Sequence, residues 1–92
     1  MSSYPTREIG SALTKKGFRE DDTHHHLFWL YVSGEKTPIR TRLSHSAREY
    51  GDSLLAMVAR EMNLRRSELN AFVECPLGYQ DYIRLLGERG FL

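Results

Sequence analysis

The chain has 92 residues, 40% of them hydrophobic and 27% charged, with 13 Lys and Arg against 12 Asp and Glu for a formal charge of +1. That length suits one domain, and the balance of apolar residues and net charge is globular rather than disordered. The longest apolar run, Leu27–Val32, is far short of the roughly 20 residues that cross a bilayer, no basic-then-apolar leader follows Met1, and the lone Cys75 excludes an intramolecular disulfide or a zinc site of paired cysteines.

Pro5 suits the first turn of a helix, and Ile9, Ala12 and Leu13 recur at helical spacing up to Lys15, Lys16 and a stop at Gly17. This predicts a first helix over residues 6–16. Residues 18–20 suit a short strand before the polar turn Asp21-Asp22-Thr23. A long strand over residues 24–32 is rich in aromatic and β-favouring side chains, and a further strand spans residues 37–43. Ser33-Gly34-Glu35-Lys36 between them predicts a hairpin with a four-residue turn.

Thereafter the period changes from two to about 3.6. Gly51-Asp52-Ser53 opens a helix with an apolar stripe of Leu54, Leu55, Val58, Ala59 and Met62. Leu64, Leu69, Phe72 and Val73 mark a second helix, broken at residues 75–78. Tyr82, Ile83 and Leu86 mark a last one, ending before Gly87. A helix, a three-stranded antiparallel sheet and then helices gathered on one sheet face make a two-layer α+β fold.

Strand alternation divides the hairpin into two faces. His26, Phe28, Leu30 and Val32, with Ile39, Thr41 and Leu43, form the expected core face, joined by Leu54, Leu55 and Val58. His25, Leu27, Trp29 and Tyr31 fall on the other face with Arg40 and Arg42. Aromatic rings interleaved with arginines contact nucleic acid by stacking and by phosphate hydrogen bonds. The same stripe equally suits packing under the C-terminal helices or against a partner. Overall charge gives little help, although residues 1–46 hold seven basic and five acidic side chains, against six and seven in residues 47–92. A local basic surface therefore stays open.

Three of the four histidines are consecutive, His24-His25-His26, and the fourth is His45. A metal site would need His24 and His26 to converge with Asp22 or Glu20, and nothing in the spacing enforces that. No metal and no cofactor are expected. As a general acid/base, a histidine could act on RNA without metal, because the attacking 2′-hydroxyl belongs to the substrate. From composition alone, surface or strand histidines with no chemistry are the favoured reading.

Lys15-Lys16-Gly17-Phe18, Thr23-His24-His25-His26-Leu27-Phe28 and His45-Ser46-Ala47-Arg48-Glu49-Tyr50 together resemble the HicA family of toxins. These are small mRNA interferases with a double-stranded-RNA-binding-domain-like fold. The likeness covers about residues 6–64, implying a HicA-like domain over 1–64 and a helical extension over 65–92 packed on it. Counted back from Phe28, the family's active histidine falls on His25, with His24 at the small polar position and Thr23 at the glycine. The resemblance thus implies a metal-independent endoribonuclease in the cytoplasm, with single-stranded RNA or mRNA as substrate and a HicB-like antitoxin as partner. His25 is its general acid/base, and Trp29, Tyr31, Arg40, Arg42 and His45 its RNA contacts. The acidic start at Asp52 of the helix that would grip a duplex argues against stable double-strand binding. Two alternatives stay open: a non-catalytic module binding RNA or protein through the aromatic face, and an interaction protein that forms a homodimer through its C-terminal helices.

Overall fold

The computed structural model describes residues 3–21, 26–44, 48–74 and 76–92. In chain order the elements are β1 (Tyr4–Pro5), α1 (Thr6–Lys15), β2 (Phe18–Glu20), β3 (Leu27–Val32), β4 (Glu35–Arg42), β5 (Glu49–Tyr50), α2 (Asp52–Glu61), α3 (Arg66–Glu74) and α4 (Tyr79–Glu88). Helix, sheet and helices follow one another in a compact α+β domain.

α1 buries Ile9, Ala12 and Leu13, and carries Glu8 in its first turn and Lys15 in its last, as the helix dipole favours. It stops at Gly17, whose φ of +99° is a conformation that L side chains rarely adopt. A Cβ there would also stand 2.4 Å from the Tyr79 ring, so two separate constraints require glycine. Lys16 is buried rather than a surface charge. Its Nζ donates to the carbonyls of Phe72 at 2.5 Å and Leu77 at 2.9 Å, and lies 5.0 Å from the centroid of the Phe72 ring. The end of α1 is thereby tied to the end of α3.

β2, β3 and β4 form an antiparallel sheet in that order, with Phe18 opposite Leu30, Arg19 opposite Trp29, and Trp29 opposite Arg40. The hairpin turn is tighter than its sequence suggests. Ser33 and Gly34 both have positive φ, 54° and 81°, which is the two-residue geometry that matches strand twist. β4 therefore begins at Glu35, and Lys36 stands opposite Tyr31. A register shift follows, because Trp29 pairs with Arg40 while Tyr31 pairs with Lys36, leaving two extra residues on β4. Pro38, which has no N–H to give a ladder, lies in that bulge of an edge strand. Thr37 patches the gap: its hydroxyl donates to the Leu30 carbonyl at 2.9 Å and accepts from the Ile39 N–H at 3.2 Å. The shift is by two residues, so side-chain alternation survives it.

β3 is shorter than expected, beginning at Leu27 rather than at residue 24. His26 adopts φ 63° and its N–H donates to Glu20 Oε2 at 2.9 Å, which takes it out of the strand and leaves it half-buried rather than part of the core. Leu27 is likewise not exposed with the aromatic stripe. It is buried, across from Arg42, and its carbonyl accepts the Asp21 N–H at 2.7 Å. Phe28, Leu30, Ile39, Thr41 and Leu43 are buried as alternation requires.

The second sheet, β1 with β5, pairs Tyr4 opposite Tyr50 and is not legible in two-residue segments. It anchors the entry to α1, where the Thr6 N–H donates to the Arg48 carbonyl at 2.8 Å. α2 buries Leu55, Val58 and Ala59, while Leu54 at its first turn is only half-buried. The helix ends on Asn63 at φ 62°, with the Leu64 N–H bonded to the Ala59 carbonyl and the Asn63 N–H to that of Arg60. α4 ends the same way, at Glu88, two residues beyond the end expected before Gly87. Gly90 takes φ 82°, and the Phe91 N–H reaches back to the Leu86 carbonyl at 2.9 Å. Gly87 sits inside the helix, its missing side chain facing open space.

α3 and α4 contribute Leu69, Phe72, Val73, Tyr82 and Leu86 to the same buried cluster that holds Ile9, Leu13, Phe28, Leu30 and Leu55. The rings of Phe18, Phe72 and Tyr82 meet at centroid distances of 5.4 to 6.4 Å. Burial pushes the Tyr82 phenol far above its usual pKa, and its hydroxyl donates to the Met62 carbonyl at 2.8 Å. No helix among the described residues is long and apolar enough to cross a membrane.

Candidate functional site

With the helices on the Phe28–Leu30 side, the opposite side of the sheet is left to Arg19, Trp29, Tyr31, Lys36, Arg40 and Arg42. Among these, the two aromatics are half-buried and the four cations exposed. Cross-strand pairing brings them together. Arg19 and Arg40 flank Trp29 on the neighbouring strands, and Lys36 faces Tyr31. The Lys36 ammonium lies 4.0 Å from the Trp29 ring centroid, with the Arg40 guanidinium at 5.2 Å. The Arg19 guanidinium lies 4.4 Å from the centroid of Tyr31. Each cation is drawn to the negative ring face, which holds its long side chain down on the sheet. The Trp29 indole N–H donates to Asp21 Oδ2 at 3.2 Å, fixing the ring's orientation.

Of the residues singled out in the sequence, Trp29, Tyr31, Arg40 and Arg42 thus share one surface. His25 and His45 lie outside the described residues, as does His24. Alternation cannot be carried back to His25, because the positive φ of His26 interrupts the strand between them. Arg19 and Lys36 were missed. Arg19 alternates with the buried Phe18, so its side was readable; Lys36 reaches the face because the turn has two residues rather than four. Among the described residues, no group of three or more His, Cys, Asp or Glu is placed to hold a metal ion.

An open groove of about 930 Å³ continues from this face over the β4 edge, lined by Trp29, Arg40 and Arg42 on one side and by Glu61, Asn63 and Phe91 on the other. Thr41, 1% exposed, donates to Glu61 Oε1 at 2.6 Å and holds that carboxylate at the groove. A second groove of about 630 Å³ runs along α1, between Arg7, Ser11 and Lys15 and the half-buried His26 and Ser44. No family model, no curated protein and no solved structure matches this chain.

Proposed function

We propose that this protein binds single-stranded RNA on the open face of its sheet and cleaves it as a HicA-like, metal-independent endoribonuclease. The observation that carries the reading is the cation–aromatic ladder of Arg19, Trp29, Tyr31, Lys36 and Arg40. Phosphates meet the three cations of the ladder and the neighbouring Arg42, and bases find aromatic rings and guanidinium planes on which to stack. The order α1, β2, β3, β4, α2 supports the double-stranded-RNA-binding-domain-like arrangement that the resemblance implies. Duplex binding is disfavoured, since α2 opens on Asp52, which Arg66 approaches at 3.4 Å.

In the reaction, His25 takes the proton of a 2′-hydroxyl as its oxygen attacks the adjacent phosphorus. The bond to the 5′-oxygen breaks, His25 gives the proton it took to that oxygen, and the products are a 2′,3′-cyclic phosphate and a 5′-hydroxyl. Arginines of the face stabilise the added negative charge on the phosphorane. A HicB-like antitoxin would act by covering this face. Expression of wild type and His25→Ala, with cellular RNA examined for cuts and cyclic ends, tests the assignment. His25→Ala is expected to lose roughly 10²–10⁴ in cleavage rate, with His24→Ala and His26→Ala as controls. Equal cleavage by His25→Ala and wild type would remove the catalytic role. Tight RNA binding without cleavage by wild type would leave a non-catalytic RNA-binding module.

A further inference from the structure

We infer that the groove over the β4 edge reads a guanine base in the bound strand, with Glu61 as the residue that recognises it; this rests on the RNA-binding reading above. The groove joins two kinds of surface. Trp29, Arg40 and Arg42 belong to the basic–aromatic face, whereas Glu61 brings a carboxylate from the end of α2. A strand held by the arginines has its backbone neutralised on one side and a base edge directed at the carboxylate on the other. A carboxylate repels phosphate, so its place in a groove continuous with a phosphate-binding face calls for a ligand group rich in N–H donors.

Guanine supplies that group. Its N1–H and N2–H are adjacent donors on one edge, which two carboxylate oxygens accept together. Adenine, cytosine and uracil each set their donor beside an acceptor, which a carboxylate rejects. In a single strand this edge is unpaired and available. Glu61 is held for the task by the buried Thr41 hydroxyl, which takes one lone pair of Oε1 and leaves acceptor sites on both oxygens. Phe91 supplies an apolar wall to the same groove. It is 47% exposed, unusual for so large an apolar ring, and its backbone is fixed by the helix-ending hydrogen bond to Leu86.

The test is binding of an eight-residue oligouridine against the same strand with one central guanosine, followed through the fluorescence of Trp29, the single tryptophan. Wild type is expected to prefer the guanosine strand about tenfold, within the range for a bidentate base contact. Inosine, which lacks the N2 amino group, should lose most of that preference. Glu61→Gln keeps the acceptor for Thr41 but loses one base-facing acceptor and the charge. It is expected to bind both strands alike, and no more weakly than wild type binds oligouridine, since a charge that repels phosphate is gone. Equal wild-type affinity for the two strands, or a guanine preference that survives in Glu61→Gln, overturns the assignment while RNA binding stands. Failure of wild type to bind either strand overturns the RNA-binding reading and the guanine assignment with it.

Discussion

At the scale of single residues, Gly17 and Trp29 carry opposite burdens. Gly17→Ala forces an L side chain to φ +99° and drives its methyl into the Tyr79 ring. A loss of about 2 kcal/mol or more is expected by chemical denaturation, because the αL penalty and the clash add. Tyr79 also donates to the Tyr31 carbonyl at 3.2 Å, so its displacement loosens the end of β3 as well. Trp29→Ala should leave stability much less affected, since the ring is half-buried on a face with no helix over it. On the proposed function its cost falls on RNA affinity, about 1–3 kcal/mol if one base stacks on it. Much at this scale was legible, because alternation needs only local sequence: Trp29, Tyr31, Arg40 and Arg42 fall on one side by parity alone. The Thr41–Glu61 contact was not. It joins residues 20 apart in sequence, and Glu61 by itself reads as one more solvated charge on a helix end.

Between elements, the decisive joints are polar contacts at helix ends. Arg89, just past α4, forms a two-pronged pair with Glu68 of α3, at 2.5 and 2.9 Å, and donates to the Asn63 carbonyl at 3.1 Å. Those bonds to Arg89 hold the Glu68 carboxyl below its ordinary value of 4.5, assisted by the backbone N–H of Arg65 and opposed by partial burial. A depressed folded-state pKa stabilises the fold above the unfolded value and loses that contribution as pH falls through the folded one. Wild type should therefore lose stability below about pH 4.5 more steeply than Glu68→Gln, in denaturant midpoints measured from pH 6 downward. Steepness equal in both would remove this pair from the acid response. The helices themselves were readable in the sequence from their 3.6-residue stripes, and α1 to within one residue. Strand ends were not. The start of β3 depends on a positive φ at His26, and the start of β4 on a two-residue turn that Ser33-Gly34 shares with several longer alternatives. The β1–β5 pair is set by distant packing of Tyr4 and Tyr50 rather than by any run of strand-forming residues.

For the whole molecule, a formal charge of +1 provides almost no long-range attraction for a polyanion, so the RNA binding proposed above would have to draw on the local field of one face. Arg19, Lys36, Arg40 and Arg42 supply it, and Asp21 at the edge of Trp29 offsets part of it. The β4 edge of the sheet is unsuited to a competing use: Pro38, the bulge and the alternating basic side chains of β4 obstruct addition of another strand there. If each of the four cations neutralises one phosphate, counterion release gives a slope of log affinity against log salt near −3, at about −0.7 per contact. Arg40→Ala and Arg42→Ala should each flatten the slope by about 0.7, whereas Arg84→Ala, on the exposed side of α4 beside Asp81, should leave it unchanged. Trp29 fluorescence titrations at several salt concentrations would measure all three. A protein partner recognised through Trp29 and Tyr31 as apolar surface would instead bind with little dependence on salt. A flat slope in wild type would therefore turn the function of this face from RNA to protein.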